Sequence, residues 1–291
     1  MPPIIKVLRL YQWPKNLFCL AGAFFSGQFM DLFVIQSAAF SFVAFSMASS
    51  ASYVLNDLVD READRGHPKK KFRPLASGEL EASSAISVAL ILFASSLFLA
   101  YTLGHRALIC LIIYFAINVA YSFKLKHVVI ADAICISSGF VLRLLCGIYA
   151  IHELPTGWIT LCTFFLALFL AFAKRRCELY YFVNKDILPL RPVLRDYTIE
   201  FLDFLLNNAL TMTVMSYAIF TTTSGKNPAL VITVPMVYYA INYFKRLVLV
   251  HNIGEDADKI IMKDRMFQIS VILWFLTYML ITRTNFDLFV S

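Results

Sequence analysis

The sequence predicts an all-α integral membrane protein, a bundle of about nine transmembrane helices. Three observations predict it. Of 291 residues, 59% are hydrophobic and 15% charged, with a mean hydropathy of +0.70, whereas a soluble domain carries about 25% charged residues. Apolar stretches recur from end to end, each close to the ~20 residues that cross a hydrocarbon core of about 30 Å. These stretches are continuous rather than alternating, which excludes a barrel and leaves helices as the spanning structure.

Taken in order, the predicted spans are 16–34, 37–57, 84–103, 107–123, 128–150, 157–175, 204–223, 228–248 and 267–284. The first is interrupted by Gly22, Gly27 and Asp31. The second runs into an acidic segment, the fifth contains Asp132 and Arg143, and the sixth ends in Lys174-Arg175-Arg176-Cys177-Glu178. Three polar connections, 58–83, 176–203 and 251–266, are longer than most helix links, which points to function. Within them, 191–203 reads as an amphipathic segment in the membrane interface.

Charge sets the expected orientation. Of the 26 Lys and Arg residues, 22 fall at the N-terminus or in the last residues of, and the loops after, the second, fourth, sixth and eighth spans. Only Arg106, Lys226 and Arg283 fall opposite, and Arg143 lies within the fifth span. The positive-inside bias then puts the N-terminus and the long polar loops in the cytoplasm. The net charge of +7 expresses that topology, and no base-reading module accompanies it, so nucleic acid is not an expected partner. Pro2, Pro3 and the short basic stretch after them do not read as a cleaved signal peptide. The six cysteines form no CxxC pair and read as small hydrophobes. No linker or soluble domain breaks the chain, which is expected to be a single transmembrane domain over 1–291.

The strongest chemical signal is Asn56-Asp57-Leu58-Val59-Asp60-Arg61-Glu62-Ala63-Asp64. At 100° per residue, Asn56, Asp57, Asp60 and Asp64 fall at about 0°, 100°, 40° and 80°, while Glu62 points away at about 240°. A solvated helix end would not need four ligand-type side chains on one face. Stacked carboxylates are tolerable where a divalent cation neutralises them, most often Mg²⁺ carrying a phosphorylated substrate. Lys69, Lys70, Lys71 and Arg73 follow. Positive-inside anchoring explains part of that cluster, and direct phosphate contact from Lys70, Lys71 and Arg73 the rest. Tyr121 to Lys126 leads into the fifth span, where Asp132 and Arg143 share a stripe about 16 Å long. Ionisable groups at membrane depth face a cavity or pair with one another. Lys174 and Glu178 stand at i,i+4 spacing. The run from Gly254 to Arg265 mixes acidic and basic residues without the spacing of an EF-hand and reads as a solvated loop.

The Asn-Asp-x-x-Asp-x-x-x-Asp run at a helix end resembles the UbiA superfamily of intramembrane prenyltransferases. So do 12–16, 56–78, 125–127, 139–143, Lys174-Arg175 with Glu178, Tyr197-Thr198 and Asp264-Arg265. Within the superfamily the chain is most similar to the branch that moves phosphoribosyl groups onto polyprenyl phosphates. The resemblance covers the whole chain and implies a UbiA-type bundle with a cytoplasmic-side active-site cavity, in a bacterial inner (plasma) membrane. It implies Mg²⁺ held by Asp57, Asp60 and Asp64, with Asp132 as a further catalytic carboxylate. Substrate contacts would come from Lys15, Asn16, Asn56, Lys70, Lys71, Arg73, Tyr121, Lys126, Arg143, Lys174, Arg175 and Glu178. The implied partners are 5-phosphoribosyl 1-diphosphate and a polyprenyl (decaprenyl-like) phosphate, with a homo-oligomer left open; the product would be a precursor of envelope pentose such as arabinan. One departure matters: aromatic prenyltransferases of the superfamily carry a second Asp-x-x-x-Asp motif, and here Ile136 stands four residues after Asp132. Two other readings stand beside this one, transfer of a polyprenyl group to an aromatic acceptor such as 4-hydroxybenzoate, and transport of an anion using Asp132 and Arg143.

Overall fold

The computed structural model describes residues 2–28, 30–185, 192–251 and 263–284. Among these, every regular element is helical, and the chain divides into two compact units. Unit 1 comprises Met1–Lys126 and Ser138–Pro155, unit 2 His127–Ser137 and Thr156–Ser291.

Unit 1 opens with α1 (Pro3–Leu8), which Pro3 starts and a left-handed Arg9 (φ 52°) stops. An 11-residue 3₁₀ segment, Leu10–Leu20, and α2 (Ala21–Ser26) follow, and Gly27 at φ 77° ends them. This corrects the predicted 16–34 span. Asp31, read as an interruption, is the N-cap of the next helix, accepting from the amides of Phe33 at 2.7 Å and Val34 at 3.3 Å. Helix α3 (Leu32–Val59) therefore begins five residues earlier than predicted and runs for 28 residues. The polar connection folds into α4 (Arg61–Arg65), a 3₁₀ turn at Lys70–Phe72 and α5 (Pro74–Ser77). Next come α6 (Ala82–Thr102) and α7 (His105–Phe123). Helix α8 (Ala131–Ala150) contributes residues to both units.

In unit 1, α3 packs against α6, α7 and the 3₁₀ segment. Phe45, Ala48, Leu111, Tyr114 and Cys146 form its core. Small residues on α3 allow close approach, and Ser41, Ser49 and Ser52 return their hydroxyls to carbonyls of their own helix. At Gly147 two backbones come close: a Cβ there would lie 1.9 Å from the Cys19 carbonyl oxygen.

Unit 2 holds α9 (Gly157–Asn184, 28 residues), α10 (Ile199–Thr223), α11 (Val234–His251) and α12 (Arg265–Arg283). Thr156, Thr198 and Asp264 cap α9, α10 and α12 by accepting from backbone amides. The core gathers Phe169, Phe172, Leu202, Leu206, Phe244 and Val248. Within the segment predicted to be amphipathic, residues 192–196 bury one face and expose the other. They make a 3₁₀ turn whose Val193 and Leu194 are buried in this core.

Seven helices among the described residues (α3, α6–α10 and α12) are long and apolar enough to cross a membrane. Helix α11, predicted as the eighth span at 228–248, is preceded by a 3₁₀ turn and carries Asn242, Lys245 and Arg246, which lower its hydropathy. Helix α6 leaves Leu90, Ile91 and Phe98 exposed, and α12 leaves Ile272, Leu276 and Leu280 exposed. Exposed apolar faces on this scale belong in lipid; the protein is an integral membrane protein.

Candidate active site

The carboxylate end of α3 is the chemical centre of unit 1. Asn56 and Asp57 lie in its last turn, Asp60 follows as the C-cap, and Asp64 sits on α4. The backbone nearly continues the helix, with the Asp60 amide donating to Asn56 O and the Asp64 amide to Asp60 O. The shared face predicted from 100° spacing thus survives a break at Asp60, and Glu62 points to solvent and pairs with Arg65. Carboxylates at a helix C-terminus oppose its dipole, so they require cations.

Four cations meet three carboxylates. Asp57 Oδ1 accepts from Arg9 Nη2 and from Arg73 Nη1, the latter at 3.0 Å. The same Arg73 nitrogen donates to Asp64 Oδ2 at 2.6 Å, and Lys70 Nζ stands 3.8 Å from Asp64 Oδ1. Lys126 Nζ donates to Asp60 Oδ1, and Asn56 Nδ2 to Asp60 Oδ2 at 3.1 Å. Ser122 in turn donates to Asn56 Oδ1 at 3.3 Å, fixing which way the amide faces. The polar loop reaches the site because Arg61 and Arg65 donate to the Leu75 and Ala76 carbonyls, folding α5 back onto α4. Lys71 is not drawn in: it is exposed, with its ammonium 5.2 Å from the Phe72 ring centroid. Within the same loop, His67 Nδ1 accepts from the amides of Lys69 and Lys70, both at 3.1 Å. Burial and the Lys70 charge hold the imidazole below its ordinary value.

Unit 2 has its own charged network. Asp132, 0% exposed, accepts from Arg175 Nε at 2.8 Å and from the Tyr197 hydroxyl at 3.3 Å. Arg175 also donates to Glu178 Oε2 at 3.1 Å, so Glu178 pairs at i,i+3 with Arg175 rather than with the predicted Lys174, which is half-buried one residue earlier. Burial pushes the Tyr197 phenol up to about 12, keeping it a donor toward Asp132. Its oxygen accepts from the Ile130 amide at 2.7 Å, which anchors a β-branched residue in left-handed conformation (φ 66°) at the head of α8.

Arg143 does not meet Asp132. In unit 1 its guanidinium donates to Asn16 Oδ1 (2.7 Å), Gly139 O (2.8 Å) and Tyr114 Oη (3.1 Å), and it lies over the rings of Phe45, Tyr114 and Phe140. Asn16 donates to Ser46 and Ser49 of α3. These two predicted substrate residues thus hold each other in a buried cage of neutral acceptors. Lys15 and Tyr121 are half-buried in unit 1, on the 3₁₀ segment and in the last turn of α7. Sequence reasoning missed Arg9, counted there only as a topology charge, and Ser122. It held Tyr197 as part of the resemblance and gave it no role. Of the run 254–265, only Lys263, Asp264 and Arg265 lie within the described residues.

Among the described residues, no three His, Cys, Asp or Glu side chains already converge as a metal-ligand cluster. The donor set nonetheless fits Mg²⁺: Asp57 and Asp64 bracket a single Arg73 nitrogen at 3.0 and 2.6 Å, a position a cation can take. Mg²⁺ is commonly held by one or two carboxylates together with substrate phosphates and water.

Comparison with known proteins identifies the family of the chain. The chain is 30% identical over 279 residues to the decaprenyl-phosphate phosphoribosyltransferase of Mycobacterium tuberculosis, covering 94% of this chain and 92% of that one. It is 33% identical over 283 residues to the decaprenyl-phosphate phosphoribosyltransferase of Corynebacterium glutamicum, covering 93% and 84%. A UbiA homolog from Archaeoglobus fulgidus, solved with GPP and Mg²⁺, shares the fold at a TM-score of 0.74 and 18% identity, over 97% of this chain and all of that one. The sequence profile of the UbiA prenyltransferase family matches residues 16–272, which takes in both the acidic run of α3 and the Asp132–Arg175 pair: this enzyme belongs to the UbiA prenyltransferase family.

Proposed function

We propose that the protein transfers a 5-phosphoribosyl group from 5-phosphoribosyl 1-diphosphate to a polyprenyl phosphate, releasing diphosphate and forming polyprenyl-phosphoryl-5-phosphoribose. The observation that carries this reading is the state of Asp132. It is fully buried and neutralised by Arg175, with Ile136 one turn further on, so the second acidic motif offers a cation-linked carboxylate rather than a second metal site. A donor that carries its own additional phosphate calls for cations there and not for more carboxylates. The names of the relatives that match most of the chain support the same reading.

In this reading Asp57, Asp60 and Asp64 hold Mg²⁺, which would neutralise the diphosphate as a leaving group. Arg9, Lys70, Arg73 and Lys126 turn from the carboxylates to the donor's phosphate oxygens, with Arg forks suited to bidentate contact. Asn56, oriented by Ser122, keeps Asp60 in register. The acceptor's phosphate is already anionic at pH 7, so no strong general base is needed at ribose C1. Positioning and charge stabilisation supply the acceleration. The family match runs through both units, in keeping with one transferase domain. The charge bias supports a cytoplasmic position for the carboxylate end of α3.

The test is direct. Purified protein with Mg²⁺, labelled phosphoribosyl diphosphate and polyprenyl phosphate should yield a labelled lipid. Product only from a polyprenyl diphosphate and 4-hydroxybenzoate would replace this reading with aromatic prenylation.

A further inference from the structure

Two guanidiniums converge on one carboxylate oxygen, Asp57 Oδ1, and that side chain is only 2% exposed. One of them, Arg73, is shared with Asp64 and comes from the basic loop. The other, Arg9, belongs to no polar loop and is held in place by its own scaffold. It occupies the left-handed region at φ 52°, a conformation non-glycine residues rarely adopt. The preceding carbonyl, Leu8 O, accepts from Ser50 Oγ at 2.8 Å, and Ser50 accepts from Trp13 Nε1 at 3.1 Å. The guanidinium lies over the Tyr53 ring, 5.1 Å from its centroid. The turn is therefore pinned on both sides of Arg9, with the charge aimed at Asp57.

This arrangement sets up a competition. A divalent cation arriving alone at Asp57 must displace a guanidinium and leave it, only 15% exposed, facing a second positive charge. A diphosphate relieves the conflict by accepting the displaced arginine. We infer that Arg9 is a resident counter-ion that couples the two ligands: Mg²⁺ alone binds weakly, and Mg²⁺ and diphosphate bind tightly only together. The inference rests on reading the cluster as a metal–diphosphate site, but not on which group the donor transfers. Inorganic diphosphate is therefore a sufficient probe.

The experiment is thermal unfolding of full-length protein in micelles with Mg²⁺ alone, inorganic diphosphate alone, and both. The wild type, Arg9→Gln and Lys6→Gln are compared, Lys6 of α1 serving as control because its charge forms an exposed pair with Glu79, away from the acidic cluster. In the wild type, both ligands together should raise the midpoint far more than the two separate shifts combined. Arg9→Gln should tighten binding of Mg²⁺ alone by about tenfold and weaken diphosphate at saturating Mg²⁺ by about tenfold, an ordinary size for a coupling between sites. Lys6→Gln should behave as wild type. Should Arg9→Gln fail to fold, Arg9→Lys, which keeps the charge and loses the fork, should weaken diphosphate in the same direction by less. An ordinary structural ion pair would lower the midpoint and leave the affinity for Mg²⁺ alone unchanged, and that result overturns the inference while sparing the site. Absence of any diphosphate binding to the wild type with Mg²⁺ overturns both.

Discussion

At the scale of single residues, burial separates side chains that share one motif. Asp57 is almost fully buried against two arginines, while Asp60 is 22% exposed against Lys126. Asp57→Asn should abolish turnover and also lower the unfolding midpoint, because two arginines lose a buried partner; Asp60→Asn should abolish turnover with a smaller midpoint change. Assays paired with melting curves in detergent check the difference. Arg143 makes a contrasting case. Arg143→Met removes the donor to buried Asn16 Oδ1, at about 1–3 kcal/mol for a buried acceptor left unsatisfied. It should destabilise the fold while leaving donor affinity intact, which a titration on the surviving folded protein reads. That Asp132 and Arg143 take separate partners was not legible in the sequence, because periodicity along one helix places two residues on a stripe but cannot show that Arg175 reaches the one and Asn16 and Tyr114 the other. The acidic run was legible because its ligand-type side chains recur on one face within nine residues. His67 sets a pH limit on the basic loop. Its imidazole sits below the ordinary 6.5, so the proton binds more readily in the unfolded chain. The stability contributed by neutral His67 is therefore full above pH 6.5 and lost as pH falls through the lowered folded value. Amide protection at Lys69 and Lys70 should drop on acidification below 6.5, and His67→Asn, which keeps an acceptor, should flatten that dependence.

At the scale of elements, the long apolar helices were readable and the short ones were not. Predicted spans such as 107–123 and 128–150 differ from α7 and α8 by three residues or fewer, since length and hydropathy alone define them. The N-terminal region failed that test. A 3₁₀ segment with an internal Pro14 occupies the start of that stretch, where composition alone does not tell it from an α-helix, and Asp31 looked like a break because a cap and an interruption use the same residue. At 192–196 the amphipathic pattern correctly reported that one face is buried, without saying that Val193 and Leu194 pack into protein. Where elements approach most closely, a single methyl group decides. Gly147→Ala would drive its Cβ into the Cys19 carbonyl at 1.9 Å, and backbone cannot yield as a side chain can. A loss of about 1–3 kcal/mol or more is expected, visible as a lower unfolding midpoint. Gly157→Ala, with open space around it, should stay near wild type.

At the scale of the whole molecule, the charge bias predicts sidedness that labelling can test. Five of the six cysteines are buried and Cys135 is half-buried, so introduced thiols should report with little background. Leu154→Cys should react with a membrane-impermeant maleimide added to intact cells, and Glu79→Cys only after the membrane is opened; the reverse pattern would invert the orientation. Family and fold class were legible because both rest on features spread along the whole chain, whereas the partners of each charge depend on which distant elements meet. The lengths of α3 and α9 carry one more consequence. At 28 residues each, they extend about 42 Å, some two turns beyond what a ~30 Å core requires. Asp57 lies in the last turn of α3, and Arg175 and Glu178 lie within the last three turns of α9. An enzyme that carries its charged groups on such overhangs works at a phase boundary. Its velocity should follow the bulk concentration of a water-soluble donor but the mole fraction, not the molarity, of a lipid acceptor. Adding inert phospholipid at constant acceptor should therefore slow the reaction by two-dimensional dilution, with no change in the volume of the assay.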